Sequence, residues 1–217
     1  MTQARFDASV VAMVATQIRR YRKEKDWSAQ DLSDACTGLG YPIPRTVLAN
    51  MESGRRSLVS VAEILVLAQA LEVPPVCLIF PLESTAEVQI LPGVQQSTLQ
   101  SVAWFIGDRG DGPAPAPDSA EMMLAEYRSL WIATLSLQRM LPVVQDAHLQ
   151  ATIAPSPKQR ERHQRTVDQY GGMVRRLARD LRESRDELRS HGRVLPALPD
   201  ELRFVDEDDF EEEEDGA

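Results

Sequence analysis

Two cysteines, three histidines and three lysines among 217 residues leave little material for several kinds of chemistry. Cys36 and Cys77 each sit inside an apolar helical pattern, with no second Cys or His at ligand spacing. Both thiols are therefore expected to pack in a core, without a metal or a redox role. His148, His163 and His191 fall at scattered polar positions, and the chain has no HExxH pattern, no glycine-rich phosphate loop and no Ser or Cys nucleophile motif beside a base. We expect no enzyme, no metal and no cofactor. No stretch approaches the ~18 consecutive apolar residues of a membrane span, and the start lacks the charged, apolar, small-residue order of an export leader. The expectation is a soluble, cytoplasmic protein that makes no use of a membrane.

What the chain does have is acid, unevenly placed. The formal net charge is -9, yet residues 1–60 hold nine Lys or Arg against six Asp or Glu, a local balance of +3. The run from Asp206 to Asp215 carries nine acids in ten residues, which accounts for the whole excess. The N-terminal part is thus free to meet a polyanion, while the tail, read as residues 194–217, has the composition of a disordered acidic segment. Lys158 to Arg193 is basic, with 11 Lys or Arg against six acids, and the tail could fold onto it.

The stretch from Ile43 to Gly54 reads as a short helix with two unlike faces. Val47, Leu48 and Met51 stand at helical spacing for a core, while Arg45, Thr46, Ala49 and Asn50 fall on the opposite side and Gly54 offers a left-handed stop. Arginine can fork onto O6 and N7 of guanine, and asparagine onto N6 and N7 of adenine. The exposed set therefore has the chemistry of major-groove readout, with Pro44 at its start. Arg55 and Arg56 follow at the end of the helix, suited to gripping phosphate.

The flanks are well punctuated. Val10, Val11, Val14, Ile18 and Tyr21 form a core stripe in a helix from Ala8 or Ser9 to Lys25, after an unstructured arm over residues 1–8. Arg19, Arg20, Lys23 and Lys25 stay outside. Ser28 and Asp31 form a capping box, with Trp27 and Leu32 as a staple, and the positive end of that helix makes Ser28 and Gln30 candidates to meet a phosphate. Ser60 and Glu63 form a second box before Val61, Ile64, Leu65, Ala68 and Leu71. Pro74-Pro75 stops that helix, and Val76 to Phe80 adds an apolar turn.

In this order the pieces resemble the helix-turn-helix domain of the phage-repressor (Cro/CI, XRE) family, from Val10 to Pro81. The matching segments are Ile18 to Arg22, Trp27 to Leu32, Arg45 to Gly54, Arg55-Arg56, Val61 to Val73 and Pro75 to Phe80. The resemblance implies a five-helix domain that binds double-stranded DNA, with Arg45, Thr46, Ala49 and Asn50 at base-reading positions. It also implies that Arg22 and Glu52 form a structural ion pair between the first and third helices. The chain departs from the family pattern at Ala29, where a glutamine is common and Gln30 is one place late, and in a long turn through Thr37 to Pro42.

Beyond residue 82 we expect a linker over 83–118. In it Glu87 to Leu91 alternates like a strand, and Ser97 to Ile106 suggests a helix whose Leu99, Val102, Ala103 and Phe105 need cover. Trp104 and Phe105 are expected to pack onto the helices that follow. Pro113, Pro115 and Pro117 mark a spacer. Over 119–193, Leu130, Leu137 and Val144, then Val167, Val174, Leu181 and Leu188, recur at seven-residue spacing, which reads as a helical hairpin turning near Ala154 to Pro157. Pro142, Gly171 and Gly172 are its weak points. These seven residues are assigned to homodimerisation, which would link two reading heads.

The expected fold is all-α: an N-terminal five-helix repressor-like domain (1–82) and a C-terminal long helical hairpin (119–193). The expected function is that of a dimeric transcriptional repressor that binds double-stranded DNA through residues 45–53. The alternative is an antitoxin-like module whose C-terminal helices hold a partner protein, or a small effector, while the N-terminal domain autoregulates.

Overall fold

The computed structural model describes residues 3–108 and 112–207. The chain divides into two compact units, Met1–Pro113 and Ala114–Ala217.

The first unit is built from α1 (Gln3–Glu24), α2 (Ala29–Gly38), α3 (Arg45–Glu52), α4 (Val61–Leu71) and α5 (Pro75–Ile79). Each start follows from local chemistry. The Ser28 hydroxyl accepts from the Asp31 amide, and the Asp31 carboxylate accepts from the Ser28 amide; Ser60 and Glu63 repeat the arrangement at α4. Val14, Ile18, Leu32, Cys36, Ile43, Leu48, Met51, Leu67, Leu71 and Leu78 close one core, with Tyr21, Trp27 and Val47 against it. Cys36 is fully buried, and burial pushes its thiol pKa up; Cys77 is half-buried. The arm expected over residues 1–8 is instead helical from Gln3, because α1 extends without a break through Ala8 and Ser9, whose hydroxyl donates to the Phe6 carbonyl.

The same unit carries a hairpin and a helix. β1 (Glu87–Leu91) pairs antiparallel with β2 (Val94–Ser97) around Gly93, which adopts φ +82, and α6 (Thr98–Phe105) follows. The most buried positions of α6 are polar, and of its apolar residues Leu99 points outward. Thr98 and Ser101 are buried, donating to the carbonyls of Thr85 and Ser97, while Leu99 is 71% exposed. Two hydroxyls satisfied by nearby carbonyls cost little to bury. Phe105 meets Phe80 edge-on at 5.5 Å within this unit, and Trp104 is largely exposed.

The second unit is a hairpin of two 34-residue helices, α7 (Ala120–Ile153) and α8 (Pro157–Ser190), capped by Ser119 and Ser156. α7 runs through Pro142 and α8 through Gly171-Gly172. Their shared seam contains Leu130, Leu137, Val174, Ala178, Leu181 and Leu188, with Val144 packed against it. Val167 is half-buried and lies outside this cluster.

Six of the seven residues assigned to dimerisation from their spacing, all but Val167, therefore pack within one chain. A heptad stripe shows that something must cover it, and here the covering helix comes from the same hairpin.

The segment expected as the start of a disordered tail packs instead. Residues 194–207 return along the hairpin, with a 3-10 helix over Asp200–Asp206 that buries Leu202 and Val205 beside Leu198. Arg185, 4% exposed, holds this return. It donates to both Asp206 oxygens at 2.8 Å and to the Pro196 carbonyl at 3.1 Å. Arg189 adds a contact to Asp206 at 2.7 Å. Burial alone would raise the Asp206 pKa, but hydrogen bonds from Arg185 and Arg189 outweigh it and hold the carboxyl below its ordinary value. The acidic run after Glu207 lies outside the described residues.

Candidate nucleic-acid interface

The third helix is short, eight residues, and its outward side chains are rigid only because its inward ones are locked. Leu48 and Met51 are fully buried and Val47 rests on the core, which leaves Arg45, Thr46, Ala49 and Asn50 exposed. Pro44, itself exposed, stands at the N-cap with its carbonyl accepting from Val47 and Leu48 amides. The long turn before it is anchored from α2, where the buried Ser33 hydroxyl donates to the Ile43 carbonyl at 2.7 Å. Gly40, with φ +79, provides the left-handed residue that lets the chain reverse there.

From the other side, α1 clamps α3. Arg22 reaches Glu52 through two hydrogen bonds of 2.6 Å and donates its third arm to the Trp27 carbonyl at 2.5 Å. The hydrogen bond to Glu52 raises the Arg22 pKa beyond its already high ordinary value, so the cation is permanent. One guanidinium thus fixes the end of α3 and the entry to α2.

The cationic candidates differ in how far they are already engaged. Arg45 and Arg55 are exposed and make no ion pair among the described residues. Arg56 is half-buried and donates to Glu63 at 2.6 Å, and that carboxylate also serves the α4 capping box. Burial would raise the Glu63 pKa, but hydrogen bonds from Arg56 and Ser60 prevail and lower it. Arg56 therefore holds the loop after α3 to the start of α4. The spacing of Arg56 and Glu63 across that loop was the available signal. Ser28 is taken up in its cap, and the exposed Gln30 amide donates to Asp34 at 2.8 Å. On α1 Arg20 pairs with Glu83, and just past its end Lys25 pairs with Glu72, whereas Arg19 and Lys23 are exposed.

The extra turns of α1 have a spatial consequence that sequence reading missed. Asp7, Ala8, Val11 and Ala12 face the loop Gly54 to Leu58 across a cleft of about 450 Å³, so the start of α1 borders the loop that carries Arg55 and Arg56.

An α1 whose Val14-to-Ile18 side enters the core, a capped α2, a tied-down turn and an α3 with one exposed face are the parts of a helix-turn-helix. The family model for the helix-turn-helix matches residues 18–76. That segment is an XRE-type helix-turn-helix. The match assigns the segment a DNA-binding role and covers the elements from Ile18 in α1 to Val76 in α5. No curated protein and no solved structure matches the chain. Among the described residues no cluster of His, Cys, Asp or Glu could hold a metal ion, and no helix is long and apolar enough to cross a membrane. In the second unit, a crevice of about 230 Å³ between Met122, Glu126, Ser184 and Glu187 falls below the ~300 Å³ at which ligand cavities usually begin.

Proposed function

We propose that the protein is a cytoplasmic, homodimeric transcriptional repressor, without enzymatic activity, that reads double-stranded DNA through α3. The observation that carries this reading is the exposed face of α3, on which Arg45, Thr46, Ala49 and Asn50 stand free above a fully buried Leu48 and Met51. Arg45 and Asn50 read bases, with Thr46 and Ala49 able to meet a thymine methyl. Arg55 grips phosphate directly. Arg56, already paired with Glu63, contributes mainly by fixing the loop, and Ser28 and Gln30 present the α2 amides to the backbone. Two reading heads in one molecule select paired half-sites, because the second contact becomes intramolecular.

The test is to pass fragmented genomic DNA over the purified protein and sequence what is retained. Wild type is expected to recover an inverted repeat. The Arg45→Ala, Asn50→Ala variant is expected to lose it, each bidentate contact being worth about 1–3 kcal/mol. Equal recovery by the two proteins would remove α3 as the reading element.

A further inference from the structure

α7 is apolar on two sides; one is closed by α8, and the other is largely exposed, with Leu135 half-buried and the 194–207 return bound at its edge through Tyr127 and Gln138. Opposite the seam of Leu130, Leu137 and Val144, the residues Leu124, Trp131, Leu135, Pro142, Leu149 and Ile153 fall within roughly 40° of arc at 3.6 residues per turn. Ile132 and Val143 flank them. This stripe is continuous for about 44 Å at 1.5 Å per residue, nearly the whole helix. The arc itself contains no charged residue, while Arg128, Arg139 and Asp146 form a charged rim between it and Ile132 and Val143. α8 is built differently, with its outward side dominated by Arg, Glu and Asp.

We propose that the outer stripe of α7 is the docking surface for a second copy of this chain, joined across a two-fold axis as a four-helix bundle of two hairpins. Three observations select that occupant. Leu124, Trp131, Leu149 and Ile153 on the stripe, each between 43% and 62% exposed, present roughly 500 Å² per copy, and Ile132 and Val143 beyond the charged rim bring the face to roughly 700 Å², close to the ~800 Å² per partner of a standard specific interface. An uncharged apolar stripe of this length needs an equally long uncharged apolar partner, and the stripe itself supplies one, since a two-fold contact joins the same patch on both copies. The acidic run Asp206 to Asp215 cannot serve, because its only large apolar residue is Phe210. A hairpin whose inner seam is already closed gains a second core layer from this pairing, the arrangement of four-helix bundles.

The inference deepens the dimeric reading of function and rests on it only for its use at paired half-sites; the surface itself is tested without DNA. Sedimentation of the full chain at micromolar concentration is expected to give a dimer. Trp131→Glu, Leu135→Glu is expected to raise the dimer dissociation constant by about a hundredfold or more, as for central aromatic anchors. Far-UV circular dichroism checks that the variant remains helical. Should it unfold, Leu149→Gln, Ile153→Gln at the open end of α7 decides instead, with weakening of about tenfold expected. Arg45→Ala, Asn50→Ala is expected to stay dimeric, so loss of DNA reading and loss of the interface give separate results. A monomeric wild type, or a dimer indifferent to both α7 variants, would overturn the proposal. So would an unrelated protein bound stoichiometrically to wild type and lost from the α7 variants, which would favour the antitoxin-like alternative.

Discussion

Arg22 spends all three faces of its guanidinium on structure: two on Glu52 and one on the Trp27 carbonyl. With side-chain exposures of 11% and 10%, the pair is largely shielded from water. Removing one partner leaves the other charge desolvated without compensation, which costs more than the pair is worth. Glu52→Leu alone is expected to lower stability by about 2–4 kcal/mol, and the double variant Arg22→Met, Glu52→Leu by clearly less than the two single losses added. Urea unfolding of the three variants checks this; strict additivity would mean that the two side chains do not interact. This pair was legible in the sequence because it matches a family pattern residue by residue. The partner of Arg56 was not: a capping glutamate seven residues on was read only as a cap, and it also neutralises the arginine. One-dimensional patterns name a side chain's first role and stay silent on its second.

At the scale of elements, periodicity found α1 to α5 and both long helices because each has an apolar stripe that must be buried. It found α6 as well but misjudged its inner face, because the polar Thr98 and Ser101 take the buried side there. It also missed β2, whose Val-Gln-Gln-Ser has no alternation; the Pro92-Gly93 turn was the usable sign. The weak points in the hairpin were visible too, and here the structure turns one of them into an opportunity. Gly171 and Gly172 lie inside α8, and a Cβ at either would meet nothing nearer than an Arg175 side-chain nitrogen at 3.7 or 3.9 Å, ordinary contact with a flexible group. Glycine in a helix interior gives up about 1 kcal/mol relative to alanine through the entropy of the unfolded chain. Gly171→Ala, Gly172→Ala is therefore expected to stabilise the second unit by about 1–2 kcal/mol, read as a higher denaturation midpoint with an unchanged slope. A destabilised variant would show that α8 needs the close approach that glycine allows.

Over the whole molecule, the acidic end of the chain acts in two parts that a count of charges merges. Asp206 is structural, because it neutralises the buried Arg185 and lets Leu202 and Val205 close the hairpin core. From Asp208 to Asp215 lie seven further carboxylates, whose removal would change the formal net charge from -9 to -2. Heptad spacing showed that the hairpin existed, and composition showed that the tail was acidic. Neither could show that residues 194–207 pack on the hairpin, since that depends on one arginine turning inward. Two truncations separate the roles. A chain ending at Leu202 is expected to melt several degrees lower, because Arg185 is left buried without its carboxylate. A chain ending at Glu207 is expected to melt like the full protein but to bind any duplex DNA several-fold more tightly at about 50 mM salt, since seven negative charges no longer repel phosphate. At about 300 mM salt the two affinities are expected to converge, because the screening length shrinks to a few ångströms. Fluorescence anisotropy with a labelled duplex measures both; equal affinities at low salt would mean that the tail's charge does not reach the DNA-binding face.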